Sequence, residues 1–233
     1  MTTFLPHLCY NTIVSINSAF NKPLVFKKIL SVLSIFVTAF LLRDFIILYV
    51  FTMNRALANF IFILSVLLFA VWYFRSYLVF SKTIVVQFTR YGGFVLLHLT
   101  ICLICLQYLS PPIGPFDNSQ ISFLSINPFF IFVKPVDVLL QHVFILVLVK
   151  KLREYGLSFW RTVGVMAVVF GGVHLLQTFR TTVLISLPFF IFSLIVAYVF
   201  PKLIFVRKNG FVFNAMIHLL AYDVITLYFW GVY

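Results

Sequence analysis

The fold is decided by the stretch of residues 128–149, which reads PFFIFVKPVDVLLQHVFILVLV. It is apolar over about 20 residues, the length that a helix needs to cross the hydrocarbon core of a membrane. Asp137 nevertheless lies near its middle, and Gln141 and His142 follow about one helical turn later. An ionisable side chain inside a membrane is energetically expensive, so it normally faces the interior of a helix bundle and marks a functional site. The stretch therefore predicts a spanning helix that contributes residues to a functional site.

Composition extends this prediction to the whole chain. Of 233 residues, 63% are hydrophobic and 9% are charged, whereas soluble domains have about 45–50% apolar and about 25% charged residues. Seven apolar runs are predicted to span the membrane, at 24–53, 56–74, 92–109, 128–149, 157–178, 182–201 and 211–230. We expect an all-α polytopic transmembrane bundle, in which residues 1–23 form an interfacial arm and residues 24–233 form one transmembrane domain.

The segments between the spans predict the orientation. Residues 75–90 read as a basic loop, and residues 110–127, which lack Lys and Arg, as a loop or re-entrant turn. With a cytoplasmic N-terminus, thirteen of the seventeen basic residues fall on the cytoplasmic side, where membrane proteins retain positive charge. We expect an integral protein of a bacterial plasma membrane, with the lipid bilayer as its partner. Because the basic residues form no groove or stripe, the net charge of +12 does not predict nucleic-acid binding.

A first candidate site consists of His98, Cys102 and Cys105, whose spacings of four and three place them on one face of a helix. The set resembles part of a soft-metal site, but a closed zinc site has four ligands and no matching Cys or His pair follows elsewhere in the sequence. We therefore expect two apolar thiols and a histidine turned into the bundle, with no metal and no cofactor. The three cysteines also predict no disulfide framework.

A second candidate site joins Asp137 in the fourth span, His174 in the fifth, and His218 with Asp223 in the seventh. At about 1.5 Å rise per residue, these side chains fall within about 10 Å of the bilayer midplane, so they could converge on one polar pocket. An ionised Asp137 could take a proton from water, while the imidazoles hold that water and stabilise a developing oxyanion. The alternative is a buried polar network that only fixes helix packing.

Three motifs in this region resemble those of the CPBP family, the CAAX-protease and bacteriocin-processing membrane proteins, over residues 90–230. Residues 137–142 resemble a degenerate EExxxR motif, with Asp137 in place of the first glutamate, valine in place of the second and His142 in place of the arginine. Residues 170–174, FGGVH, match the FxxxH motif in full. His218 stands for the first residue of HxxxN or HxxxD, although Tyr222 follows four residues later and Asp223 five.

The resemblance implies an intramembrane peptidase of the glutamic type, which hydrolyses peptides without a metal. Asp137 is then the base, His174 orients the water and His218 lies on the oxyanion side. The supporting residues are His142, Tyr222 and Asp223. The implied substrate is a membrane-embedded or lipidated peptide.

Two alternatives stay open at this point. The valine and histidine that replace glutamate and arginine favour a catalytically lapsed protein, which binds peptide in the same pocket as an immunity or scaffold protein. A small transporter or transporter subunit is the other alternative, because transporters also bind their substrates near the bilayer midplane.

Overall fold

The computed structural model describes residues 55–78, 82–109, 126–177 and 183–232, together with the isolated helical positions Lys27, Leu30, Ser31, Ser34 and Thr38. The predicted N-terminal arm, the predicted first span at 24–53 apart from those five positions, and most of the predicted loop at 110–127 lie outside these residues. All regular structure in the described ranges is helical, and no β-strand occurs in them.

The described part of the chain forms α1 (Arg55–Tyr73), α2 (Lys82–Tyr108), α3 (Lys134–Glu154), α4 (Phe159–Gln177), α5 (Val183–Val206) and α6 (Gly210–Val232). A 3₁₀ turn, Arg75–Tyr77, follows α1, and a π-helical segment, Phe129–Val133, leads directly into α3. Within the described ranges, four helical stretches are long and apolar enough to cross a membrane: Lys82–Tyr108, Phe129–Glu154, Ser186–Val206 and Gly210–Tyr228. Leu57–Tyr73 and Phe159–Gly172 are shorter apolar helices. The prediction of an all-α integral membrane protein is thus confirmed.

Helix α3 lies at the centre of the described bundle, where it packs against α1, α4, α5 and α6. Of the 18 residues that form the apolar part of the stretch containing α3, 67% are buried inside the bundle. The corresponding share for α2 is 22%. Residues 143–149 are buried without interruption, as expected of a helix that is apolar on all sides and surrounded by other helices. Helix α2 instead leaves Leu96, Leu103 and Ile104 exposed on its outer face. Its polar side chains therefore have one inner face available, the face toward α6 and the π-helical segment.

The most extensive pairing between described helices is that of α4 with α5. Gly171 permits it, because a Cβ at this position would lie 3.3 Å from Leu194 Cδ2 and 3.8 Å from Ser193 Oγ. A Cβ on Gly172 would meet nothing within 4 Å. Small residues let membrane helices approach closely, so Gly171 is the glycine of this pair that faces α5. The close packing fixes the position of His174, which follows on the next turn of α4.

Helix α2 begins earlier than the sequence predicts. The predicted loop at 75–90 is wrong from Lys82 onward, where the helix starts. The basic residues do not interrupt the helix, because Lys82 and Arg90 lie on its exposed side while Gln87 and Tyr91 are buried. Long basic side chains can lie along an apolar helix and still bring their charge to water. An amphipathic first half thus extends the predicted third span.

Candidate functional site

Ionisable side chains gather in the interior of the bundle. Among the described residues, the buried histidines and aspartates of the spanning stretches are His98 on α2, Asp137 and His142 on α3, and His218 and Asp223 on α6. Such groups are costly in a membrane unless they are paired or hydrogen-bonded. Here they form three separate hydrogen-bonded groups.

The first group joins α2 to α6 and to the π-helical segment. His98 Nδ1 lies 2.6 Å from Asp223 Oδ1, and His98 Nε2 lies 3.0 Å from the backbone oxygen of Phe130. Cys102 Sγ lies 3.8 Å from the same Nε2 atom, and Cys102 and Cys105 are fully buried. The prediction that this histidine and the two thiols turn into the bundle is confirmed. Both nitrogens of His98 face oxygen atoms, and no group of three metal-ligating side chains occurs among the described residues.

The contact between His98 and the backbone of Phe130 follows from the local sequence. At the end of the π-helical segment, the N–H of Lys134 donates to the oxygen of Phe129, five residues earlier. On this pattern the oxygen of Phe130 would accept the N–H of residue 135, but Pro135 has no N–H to donate. His98 Nε2 supplies the missing donor. A backbone carbonyl that would otherwise lack a partner inside the membrane is satisfied in this way.

The second group lies on one face of α3. Asp137 Oδ2 accepts hydrogen bonds from Lys134 Nζ at 3.3 Å and from Gln141 Nε2 at 3.0 Å. Asp137 Oδ1 is buried and has no hydrogen-bond partner among the described residues. The Lys134 ammonium also lies 4.1 Å from the centre of the Tyr222 ring, which is a cation–π distance. Lys134 therefore connects the Asp137 carboxylate on α3 to Tyr222 on α6.

The third group is a pair of histidines. His142 Nε2 lies 3.1 Å from His218 Nδ1. The His142 ring is fully buried, and it meets the Phe200 ring edge to face with 4.6 Å between their centroids. His142 Nδ1, like Asp137 Oδ1, has no partner within the described ranges. The pair joins the centre of α3 to the first half of α6.

A small cavity of about 10 Å³ lies where α4, α5 and α6 meet, about the space that one water molecule requires. Its polar lining consists of His174, His218 and Tyr222, and Phe189 and Phe192 contribute to its apolar wall. The His174 ring stacks on Phe189 with 6.0 Å between centroids, and the His218 ring stacks on Tyr222 with 5.1 Å. The cavity therefore presents two imidazoles and a phenol within aromatic surroundings.

Of the residues that the resemblance implies to be catalytic, the structure brings His174 and His218 together on this cavity. Asp137 is not part of the cavity wall, but it lies next to it through Lys134, which contacts both Asp137 and Tyr222. The carboxylate is thus linked to the cavity wall through Lys134, while the two imidazoles share one space.

The supporting residues divide between two places. Tyr222 lines the cavity, and His142 hydrogen-bonds the cavity residue His218. Asp223, one residue further along α6, turns away from the cavity and pairs with His98. Tyr222, four residues after His218, therefore lines the cavity, whereas Asp223 does not.

Two residues of the site, Lys134 and Tyr91, do not stand out in the sequence. The hydroxyl of Tyr91 donates to the backbone oxygen of Pro135 at 2.5 Å. A signal for Lys134 exists, since a basic residue three positions from Asp137 has the spacing of a helical ion pair. No such signal exists for Tyr91, because a tyrosine near the end of a span is usually an interfacial residue and its partner here is a backbone atom.

No protein-family model, no curated protein and no solved structure matches this chain. We therefore infer a function from the side chains that surround the cavity and from the groups that contact them.

Proposed function

We propose that this protein is a CPBP-like intramembrane peptidase of about seven spans, which hydrolyses membrane-embedded or lipidated peptides without a metal or cofactor. The observation that carries the proposal is the cavity itself, where His174 from α4 and His218 from α6 meet around a space of about one water molecule. These two histidines are the ones that belong to the FxxxH and Hxxx motifs.

The chemistry of the cavity suits attack of water on a peptide carbonyl. In the proposed reaction His174 orients the water, while His218 and the Tyr222 hydroxyl donate hydrogen bonds to the carbonyl oxygen as it becomes an oxyanion. Preorganised donors of this kind each contribute about 10²–10³-fold to the rate. Phe189 and Phe192 form part of the apolar wall beside them.

Asp137 is the proposed base. Its Oδ1 atom has no hydrogen-bond partner among the described residues, while Oδ2 is held by Lys134 and Gln141. Because Asp137 does not line the cavity, the substrate has to draw the Lys134–Asp137 pair toward the water when it binds. Substrate-induced closure of this kind is common in enzymes. Because Lys134 already contacts the cavity residue Tyr222, the Lys134–Asp137 pair has only a short distance to move.

The test uses the full chain in proteoliposomes with a library of fluorogenic peptides that carry a lipid or an apolar helix. We expect cleavage by the wild-type protein, insensitive to chelators, and a loss of kcat of about 10²-fold or more in Asp137→Asn, as for removal of a general base. Glu154→Gln is the matched control, because it makes the same change at the half-exposed end of α3. Equal cleavage by the wild-type protein and Asp137→Asn would contradict the proposal.

A catalytically lapsed CPBP-like protein, which binds peptide as an immunity or scaffold protein, is the second candidate. The observation that favours it is the pairing of Asp137 Oδ2 with both Lys134 and Gln141, because these contacts hold the carboxylate outside the cavity wall. Its signature is saturable binding of the same peptides by the wild-type protein with no cleavage of any of them. Binding should then weaken in Tyr222→Ala, which removes part of the cavity wall.

We further propose a cytoplasmic N-terminus in a bacterial plasma membrane. With this orientation the start of α2, the end of α5 with Lys202, and the turn between α5 and α6 with Arg207 and Lys208 are cytoplasmic. Single cysteines introduced at Arg75 and Lys208 should then react with an impermeant maleimide only after the membrane is opened. Labelling of both positions in intact cells would reverse the orientation.

A further inference from the structure

The imidazoles of His142 and His218 are joined by one hydrogen bond. Their facing nitrogens, His142 Nε2 and His218 Nδ1, lie 3.1 Å apart, so one of them carries a hydrogen and the other offers its lone pair. The His142 ring is fully buried and packed edge to face against Phe200. It therefore has a fixed orientation in which, among the described residues, only Nε2 faces a hydrogen-bonding group.

The surroundings of His142 decide which of the two nitrogens carries the hydrogen. If His218 were the donor, neutral His142 would hold its own proton on Nδ1, which is buried and has no partner among the described residues. A buried N–H without an acceptor is rare and costs about 1–3 kcal/mol. If His142 is the donor, its Nδ1 is a bare lone pair and no N–H of His142 is left without an acceptor. A second proton on His142 would instead place a charge on a fully buried ring.

We propose that His142 fixes His218 as a hydrogen-bond donor toward the cavity, so that the cavity binds a carbonyl or other acceptor oxygen. With Nδ1 accepting from His142, neutral His218 carries its own proton on Nε2, and His218 lines the cavity. His142 is thus a positioning residue, which acts on the ligand only through His218. This inference deepens the proposed function and rests on it for its catalytic use, since His218 then stabilises the oxyanion and does not serve as the base.

The first measurement is the ¹⁵N spectrum of histidine-labelled full chain in lipid nanodiscs, in which protonated and bare ring nitrogens differ strongly in chemical shift. The His218 signals are identified by their loss in His218→Asn. We expect the wild-type protein to show His218 with a protonated Nε2 and a bare Nδ1. Addition of an N-alkyl acetamide, a membrane-soluble carbonyl probe, should shift the Nε2 signal, whereas the corresponding alkane should not.

Two variants separate the positioning role from packing. His142→Phe keeps an aromatic ring but removes the donor, so His218 should become a mixture of both tautomers. His142→Gln supplies an amide N–H in place of the ring N–H, so it should restore the wild-type tautomer. Gln141→Leu is the matched control, since Gln141 bonds Asp137 and not a histidine, and it should leave the His218 signals unchanged.

A wild-type His218 with its proton on Nδ1 would overturn the inference, and so would an unchanged tautomer in His142→Phe or a carbonyl probe that leaves Nε2 unaffected. If His142→Phe does not fold, the wild-type spectrum and His142→Gln decide. Failure of the proposed function is a different result: no peptide is cleaved, while the tautomer of His218 is still as inferred. If the proposed function and this inference both hold, His142→Phe lowers kcat with little change in KM, and His142→Gln recovers kcat.

Discussion

His98 and Asp223 are 125 positions apart in the chain, and their side chains meet at 2.6 Å inside the bundle. The oxygen of Phe130 can only accept a hydrogen bond, so His98 Nε2, 3.0 Å away, carries a proton. The remaining proton of the pair lies between His98 Nδ1 and Asp223 Oδ1. Whichever atom holds that proton, the pair has no net charge, which is the condition under which it can be fully buried. It ties α2 to α6 and to the start of α3.

Replacement of one partner of this pair should destabilise the protein. His98→Leu leaves the Asp223 carboxyl and the Phe130 carbonyl buried without their donor, and loss of one member of a buried pair costs about 3–5 kcal/mol. Thermal or SDS unfolding of the purified protein in detergent measures this loss. The double variant His98→Leu/Asp223→Leu should recover part of it, because it leaves no carboxyl group to satisfy. A double variant as unstable as the sum of both single variants would show that the side chains do not interact.

Tyr91→Phe should lower the free energy of unfolding by about 1 kcal/mol, the net contribution of a typical hydrogen bond. The change removes only the hydroxyl that donates to the oxygen of Pro135 at 2.5 Å. Tyr108→Phe is the matched control on the same helix, since Tyr108 is 72% exposed. Chemical denaturation of both variants side by side checks the difference. An equal loss of unfolding free energy in Tyr91→Phe and Tyr108→Phe would show that the hydrogen bond of Tyr91 does not stabilise the protein.

Gly171→Leu should separate α4 from α5, whereas Gly172→Leu should be tolerated. A Cβ on Gly171 already comes within 3.3 Å of Leu194, and a Cβ on Gly172 meets nothing within 4 Å. Overpacking of a close interface costs about 1–3 kcal/mol, so we expect a clear loss of thermal stability for Gly171→Leu alone. Because His174 follows on the same helix, peptide binding at the cavity should weaken as well. A greater loss of thermal stability in Gly172→Leu than in Gly171→Leu would contradict this packing.

Lys134→Met should be more destabilising than Lys151→Met, although both remove the basic partner of an i,i+3 ion pair on α3. Only 3% of the Asp137 side chain is exposed, against 40% of the Glu154 side chain. Water can solvate Glu154 when it loses its partner, but it cannot solvate Asp137, so only the first change leaves a buried carboxylate with a single neutral donor. Unfolding of the two variants under the same detergent conditions compares them directly. An equal loss in both would mean that Lys134 does not stabilise Asp137.

The motif around His218 shows why a site is harder to predict than a span. The resemblance leaves Tyr222 and Asp223 as alternatives, which differ by one residue and hence by about 100° around a helix. Spacing along the sequence cannot choose between them, because the rotation of α6 depends on what it packs against. In the structure His98 pairs with Asp223, and this rotation turns Tyr222 to the cavity. The role of Lys134 is hidden for the same reason, since its contact with Tyr222 joins two helices.

The sequence by itself determined that this protein is helical and that its surroundings are the lipid bilayer. In lipid, every backbone polar group has to be satisfied within the segment or by a close neighbour, so long apolar runs become helices whatever their partners are. Only the tertiary structure decided which polar side chains meet: His174 with His218 at the cavity, and Asp223 with His98 away from it. Apolar surfaces are similar on all sides of such helices, so their rotations are set by close packing and by a few buried hydrogen bonds. Those contacts form between residues that are far apart in the chain, so no local sequence pattern predicts them.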